Sequence, residues 1–395
     1  MIKSIAELDL KEKRVFIRVD FNVPYDAEGR VQDDARIVAS LPTIRLALEA
    51  GAKVILASHL GRPKGQRDPR YSLMPVAARL SELLEREVIF PEDCIGDAVK
   101  KLTQDLREGQ IVLLENLRFH PGEEANDPIF SERLAGLAEI YVNDAFGTLH
   151  RAHASTVGMV SLMKEKAAGL LVLKEVEFLS KLLQNPQRPF IAVLGGAKVS
   201  DKLGVIENLL KLVDGLLIGG AMAYTFLKAK GVEVGASLVE AAKVHQAAKL
   251  LERARIKEVR IELPVDHVIA RELKAGVDFK TTDGAAIPGT WMGLDIGSRT
   301  AELYGAAIRQ AKTVLWNGPV GAFETSPFDR GTLDIARAVA ACPGMTVVGG
   351  GDSLAAIKAA GVGDRIKHLS TGGGATLEFL EGKILPGLKA LEEEV

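Results

Sequence analysis

The chain is short of cysteine, of aromatic residues and of net charge, and each shortage removes a class of protein. Cys94 and Cys342 are the two cysteines among 395 residues. They lie far apart and neither has a CxxC partner, which argues against a disulfide framework or a structural zinc site and suits a reducing compartment. The formal net charge is -2, so nothing global draws the protein to nucleic acid or to an anionic membrane. No apolar run approaches the roughly 20 residues that cross a bilayer. Met1–Leu10 carries Lys3, Glu7 and Asp9 without an apolar core, so no secretory signal is expected and the cytoplasm is the expected location. Two nucleotide signatures are also missing. There is no G-x-x-x-x-G-K-[ST] loop, and no G-x-G-x-x-G follows an early strand with an acidic residue about 20 positions on, which disfavours a P-loop protein and a dehydrogenase. No internal repeat or low-complexity segment is present.

What is there is the composition of an ordinary globular protein, 47% hydrophobic and 26% charged. The length suggests two or three domains. A short apolar run, a polar or glycine-rich turn and a helix-period stretch recur along the chain. Val15–Val19 leads into Asp20 and Asn22, Val54–Ala57 into His59 and Arg62, Ile111–Leu114 into Asn116 and Arg118, and Ile140–Val142 into Asp144 and Arg151. Past the middle, Phe190–Leu194 leads into Gly195 and Lys198, Leu216–Ile218 into Gly219 and Gly220, Val314–Trp316 into Asn317 and Pro319, and Thr346–Val348 into Gly349–Asp352. This alternation predicts an α/β fold of parallel sheets covered by helices, with ligands beyond the carboxyl ends of the strands. The character of the strand-end residues changes near Ala167–Gln184, a helix-like stretch read as the connector between domains.

The second half offers glycines, two lysines and one aspartate. Gly195–Lys202 follows a buried strand, and a helix with apolar residues at Leu203, Ile206, Leu210 and Val213 is expected after it, ended by Gly215. Lys198 and Lys202 are four apart, so on a helix they share a face. They either meet polyphosphate at a helix start or are solvated lysines on a tight turn. Gly349, Gly350 and Gly351 expose successive N–H groups, a concavity suited to phosphate oxygens. Asp352 either holds Mg²⁺ on substrate phosphates or, like Ser353, simply caps the helix. Thr371–Ala375 adds a third glycine turn ahead of a helix, and three such turns on one sheet point to an anionic ligand.

The first half offers cations. Asp20 and Asn22 stand at alternate positions after a strand and could address one hydroxyl. Arg36, His59, Arg62, Arg118 and Arg151 each have a bland reading as surface ion pairs or satisfied turn residues. Together they bring like charges to one edge of one sheet, which a phosphate- or carboxylate-bearing ligand would neutralise. Aromatics among them are few, which disfavours single-stranded nucleic acid.

Eight segments, Arg18–Pro24, Ser58–Pro63, Glu115–Phe119, His150–His153, Gly195–Lys202, Trp316–Pro319, Gly349–Ser353 and Thr371–Gly374, resemble those of the phosphoglycerate kinases, in the same order and across nearly the whole chain. The resemblance implies two doubly wound parallel-sheet domains joined by a hinge. Residues 1–168 would bind 3-phosphoglycerate, residues 169–379 would bind nucleotide, and a tail from about 380 to 395 would return to the first domain. Carried over, Asp20 and Asn22 bind the glycerate, Arg36 faces the reacting carboxylate, and His59, Arg62, Arg118 and Arg151 hold the remote phosphate. Gly195, Gly219, Gly220, Gly293 and Leu294 line the adenosine site, with Asn317, Pro319 and Glu324 bordering the nucleotide and Glu324 at the ribose. Lys202 and Asp352 serve the nucleotide phosphates, Asp352 through Mg²⁺. Lys198 and Arg36 flank the transferring group, and Gly351 and Gly374 offer backbone donors. The family usually has Thr where this chain has Ser353, a change that keeps the hydroxyl.

The expected reaction is in-line transfer between MgATP and the carboxylate of 3-phosphoglycerate, giving 1,3-bisphosphoglycerate and ADP, a step of glycolysis and gluconeogenesis. A carboxylate is already ionised at neutral pH, so no general base is required. The alternatives are another two-domain kinase that forms an acyl phosphate, and a non-catalytic two-domain protein that closes on an anion. The latter leaves Lys198, Lys202 and Asp352 without a role. A monomer without nucleic-acid or membrane partners is expected.

Overall fold

The computed structural model describes residues 2–392. Met1 and residues 393–395, at the ends of the expected first domain and of its returning tail, lie outside the described residues. Two compact units are present, one comprising the chain up to Glu177 and the carboxyl-terminal stretch from Ile384, the other Phe178–Lys383. The break falls inside the helix Leu170–Gln184, nine residues beyond the boundary expected after residue 168.

The first unit is built on five parallel strands, β1 (Arg14–Val19), β2 (Lys53–Ala57), β3 (Ile111–Leu113), β4 (Ile140–Asp144) and β5 (Glu165–Ala168), in the order β3-β2-β1-β4-β5. Helices cover both faces, so the central strands read as nearly continuous apolar runs; in β1 everything from Val15 to Val19 is buried. The helix Met74–Leu84 buries Val76, Ala77 and Leu80, the stripe that a period of 3.6 predicts. The short helix Pro386–Leu391 belongs to this unit. The Gly387 N–H donates to Leu149 O at 2.9 Å, and a Cβ at Gly387 would stand 2.5 Å from the Leu149 side chain.

The second unit is built on six parallel strands, β6 (Phe190–Leu194), β7 (Gly215–Ile218), β8 (Arg260–Glu262), β12 (Thr313–Asn317), β13 (Met345–Gly349) and β14 (His368–Ser370), in the order β14-β13-β12-β6-β7-β8. Between β8 and β12 the chain makes a three-stranded antiparallel sheet of β9 (His267–Ala270), β10 (Phe279–Thr281) and β11 (Met292–Ile296). The sequence pattern does not announce this sheet, because β10 is exposed throughout and carries no apolar alternation.

Each parallel sheet winds outward in both directions from an inner pair, β1/β4 in the first unit and β6/β12 in the second. The loops after those strands therefore diverge and leave a crevice at the switch point. In the second unit Ile218, Leu194, Asn317, Gly349 and Ser370 stand side by side on five strands. The residues that follow them are Gly219, Gly195, Gly318, Gly350 and Thr371, so four of the five loops open on glycine at one level.

Two local expectations are corrected. Gly215 does not end a helix: the helix after β6 runs Leu203–Leu209, and Gly215 is the first residue of β7. Lys198 and Lys202 do not share a helical face either. Lys202 is the residue before the helix and Lys198 lies in the preceding loop, because the glycines delay the first hydrogen-bonded turn.

Gly318 is a tight junction of the second sheet edge. It has φ +95°, and a Cβ there would sit 2.4 Å from Gly195 O. Gly318→Ala should destabilise the second unit by about 1–3 kcal/mol, through overpacking against backbone and a left-handed φ. Both tryptophans, Trp291 and Trp316, lie in this unit. Urea unfolding followed by tryptophan fluorescence reports on it, and an unshifted midpoint would refute the expectation.

Candidate active site

At the first switch point the site begins with a buried cation. Arg18, fully buried on β1 between Ala57 of β2 and Asn143 of β4, donates from Nε to Ser155 Oγ at 2.8 Å and from Nη2 to His59 Nδ1 at 3.2 Å. Its counter-charge is Glu123, also fully buried, at 3.9 Å. Glu123 accepts from the Ser155 N–H at 2.9 Å and from Ser155 Oγ at 2.6 Å. Because a guanidinium can only donate, His59 Nδ1 accepts, and the ring proton is left on Nε2.

Burial first, and then the charges of Arg18, Arg118, Arg36 and Arg151, hold His59 well below the usual imidazole range. His59 is therefore neutral near pH 7, in a field set by four guanidinium groups. The same surroundings, burial foremost and then Arg118, Arg18 and Arg151, bring His153 down to about 4. Arg118 is itself lowered, chiefly by burial; it donates from Nη1 to Gly61 O at 2.8 Å, while its buried Nε has no hydrogen-bond partner and lies 3.3 Å from the exposed Glu124. Asn116 fixes the loop beneath it, accepting from the Arg118 and Leu60 N–H groups and donating to Leu60 O and Tyr71 O.

Asp20 and Asn22 come to the same edge with different exposure. Asp20 is buried; its Oδ2 pairs with Arg36 Nη1 at 2.5 Å, and its Oδ1 is buried with no hydrogen-bond partner. Asn22 is exposed and accepts the Gly61 N–H at 2.9 Å. Arg62 follows Gly61, exposed, and is not among the charges acting on His59 or His153. Arg151 lies half-buried beyond β4, with Nε 3.1 Å from His150 Nε2. Arg18 and Glu123 were not singled out by the sequence. An Arg inside an apolar run, Val15–Val19, was the signal for the first; nothing local marks the second.

At the second switch point a cavity of about 270 Å³ is lined by Gly195, Gly196, Ala197, Lys198, Asp201, Lys202, Asn317, Gly318, Pro319, Gly350, Gly351, Asp352, Gly373 and Leu377. The loops after β6, β12, β13 and β14 thus converge on one space. Their approach needs glycine: a Cβ at Gly195 would lie 2.0 Å from Pro319 O, and one at Gly220 2.6 Å from Gly196 N. Gly350 precedes the helix Gly351–Ala359 with φ +94° and has no side chain to cap it, and Asp352 makes no capping bond. The Ser353 hydroxyl is occupied in accepting the Gly318 N–H at 2.7 Å. Neither residue is therefore a cap, and the exposed Asp352 carboxylate faces the cavity.

Lys202 is buried and donates to Asn317 Oδ1. Burial lowers its ammonium to about 8, against the opposing pull of Asp201 and Asp352. Asn317 Nδ2 is buried without a hydrogen-bond partner, a donor aimed into a space lined by N–H groups and two ammonium groups. Lys198 is exposed on the rim. Gly374 starts the helix Gly374–Leu380, next to Gly373.

The remaining expected residues do not line this cavity. Gly219 abuts Val320, and the Gly220 N–H donates to Val320 O at 2.9 Å. Gly293 and Leu294 lie on β11: the Gly293 N–H donates to Ser237 Oγ at 2.9 Å, Tyr224 packs beneath Gly293, and Leu294 O accepts the Ala322 N–H at 2.7 Å. Glu324 is exposed in the loop that follows.

Fold and sites define a class, an α/β protein with a guanidinium-rich cluster at one switch point and a glycine-lined, lysine-bearing cavity at another, an arrangement suited to phosphoryl transfer. A model of the phosphoglycerate kinase family matches residues 5–383. The phosphoglycerate kinase of Anaeromyxobacter sp. (strain K) is 60% identical over 394 residues, covering 99% of this chain and 100% of that protein. Among solved structures, the phosphoglycerate kinase of Coxiella burnetii superposes with a TM-score of 0.88 at 43% identity, covering 99% of each chain. That of Pyrococcus horikoshii gives 0.84 at 35% identity, covering 99% and 98%. The chain belongs to the phosphoglycerate kinase family, phosphotransferases with a carboxyl group as acceptor.

The lowered Lys202 makes a pH prediction. Its charge is present below its own pKa of about 8 and is lost as pH rises through that value. An anion in the cavity holds the proton on, so affinity for tripolyphosphate should fall above about pH 8, by up to about tenfold per pH unit. Calorimetry between about pH 7 and 9.5 should show this fall, and Lys202→Met should flatten it. A profile flat in the unaltered protein would remove Lys202 from the anion's contacts.

Proposed function

We propose that the chain catalyses reversible in-line phosphoryl transfer between MgATP and the carboxylate of 3-phosphoglycerate, with glycerate and phosphate held by the first unit and nucleotide by the second. The glycine-lined cavity at the second switch point carries the reading, because it collects backbone donors, Lys198, Lys202, the unpartnered Asn317 Nδ2 and Asp352 around one anion-sized space. In the first unit Asp20 Oδ1 is an open acceptor suited to a substrate hydroxyl, with Asn22 beside it. Arg36 would meet the reacting carboxylate, and His59, through Nε2–H, would join Arg62, Arg118 and Arg151 at the remote phosphate. Gly219, Gly220, Gly293, Leu294 and Pro319 are assigned to the adenosine side, and Glu324 to the ribose.

Asp352 offers one hard carboxylate oxygen beside the cavity, which suits Mg²⁺, an ion that keeps waters and substrate phosphates as its other ligands. When bound, Mg²⁺ supplies charge neutralisation on the nucleotide phosphates. This chain's own groups do the rest. Lys198 and Arg36 stabilise charge on the transferring group, Lys202 and the Gly351 and Gly374 N–H groups orient the phosphates, and no residue has to remove a proton. Carboxylate and phosphorus must come within about 3–3.5 Å. With the substrates on separate units, the reading includes a hinge that closes and excludes water. A monomer in the cytoplasm completes it.

ADP release with 3-phosphoglycerate but not with acetate would support the reading. Binding of both substrates without ADP release would favour the non-catalytic alternative. Two substitutions test the roles. Arg62→Ala should raise the KM for 3-phosphoglycerate by about tenfold or more and leave that for ATP nearly unchanged, because a charge-assisted phosphate contact is lost. Equal effects on both substrates would displace Arg62 from the phosphate. Lys198→Met keeps length and removes charge; turnover should fall by about a hundredfold or more, with smaller changes in substrate affinity. Turnover near the unaltered value would make Lys198 a solvated rim lysine.

A further inference from the structure

Outside the residues assigned to either site, though beside Glu123 of the first, three chemically different donors converge in the first unit. Asp93 and Cys94 lie just before the helix Asp97–Asp105, and His120 stands between the turn Leu117–Phe119 and the helix Pro121–Glu124. One ligand atom from each lies within 4.8 Å of the other two. Asp93 Oδ1 is 2.6 Å from His120 Nε2 and accepts the Cys94 N–H at 2.6 Å. The Cys94 thiol donates to the same carboxylate. Cys94 is fully buried, whereas the side chains of His120 and Asp93 are 28% and 46% exposed. The cluster therefore has a sulfur floor and a face open to water. The imidazole is braced by stacking on Phe130, centroid to centroid 5.3 Å.

We propose that Asp93, Cys94 and His120 form a binding site for a zinc-class divalent cation, with a water as fourth ligand. A thiolate, an imidazole and a carboxylate in one small cluster match the borderline-soft ions that favour tetrahedral coordination. The hard oxygen set at Asp352 selects the opposite class. Binding forms bonds from the cation to sulfur, nitrogen and oxygen. The thiol proton leaves to solvent, and the imidazole keeps one proton on Nδ1.

The test is titration of the metal-free, nucleotide-free full chain with cadmium chloride, read by the ultraviolet sulfur-to-cadmium charge-transfer absorption. One equivalent should produce the band, zinc chloride should remove it, and excess magnesium chloride should not. Cys342→Ser should keep the band and Cys94→Ala should lose it. His120→Asn and Asp93→Asn, at half-buried side chains that reach water, should each weaken cadmium binding by about tenfold or more. If Cys94→Ala does not fold, as judged by circular dichroism, those two variants decide the question. No band in the unaltered protein, a band that follows Cys342, or unaltered affinity in both His120→Asn and Asp93→Asn would overturn the proposal.

Discussion

Everything functional in this molecule depends on strands that run parallel. A parallel sheet sends all its carboxyl-terminal loops to one edge, and winding outward from an inner pair opens that edge at one place. The pairs β1/β4 and β6/β12 fix where the crevices fall, and register fixes their depth. Because Leu194, Asn317 and Gly349 stand level, the loops leave the sheet together and must pass each other within backbone contact. A side chain at Gly195 or Gly318 would collide with the backbone of the neighbouring loop and force the two apart. The glycines are in this sense a packing requirement first and a binding device second.

The two crevices gather hydrogen-bond donors in opposite ways. In the first unit the positive charge is on side chains, and burying it is costly unless it is paired. Arg18 is answered by Glu123, Arg36 by Asp20, and Arg118 by the exposed Glu124 and more weakly by Glu123. The deepest charge, that of Arg18, is fully committed to structure. Its commitment has a chemical consequence, since Arg18 sets the tautomer of His59 and so turns Nε2 into a donor. In the second unit most of the donors are backbone N–H groups, which bring no net charge and no rotamer entropy. There the ammonium groups are few, and the buried one is poised near neutrality by burial.

The strand–loop alternation was legible in the sequence because fully buried parallel strands are almost continuous apolar runs. Phe190–Leu194 is such a run, and its strand begins and ends where the apolar residues do. The glycine positions were legible for the same reason, since they follow directly on those runs. Helix onset was not. Lys198 and Lys202 have helical spacing, yet the loop holds the chain out of a helix until Leu203. Nor does local pattern distinguish Glu123 from Glu124, although one is fully buried against Arg18 and the other is 45% exposed. Their difference comes from Ser155, more than thirty residues away, whose N–H and hydroxyl both reach Glu123. The antiparallel sheet was hidden because its outer strand is exposed throughout, and Gly293 and Leu294 sit on that sheet.

The neutral His59 shows why the first crevice tolerates so many guanidinium groups. A protonated imidazole there would add a fifth cation to Arg18, Arg36, Arg118 and Arg151, and their field with burial prevents it. Lowering one pKa removes repulsion among the groups that remain charged and keeps a neutral N–H donor in place. The same logic reaches His153, brought to about 4 by burial and the same arginines. Two histidines in the densest positive field of the chain thus serve as neutral groups. A sequence reading that counts each histidine there as a potential cation overstates the charge, and the carboxylates that answer it, Asp20, Glu123 and Glu124, are fewer than that count would demand.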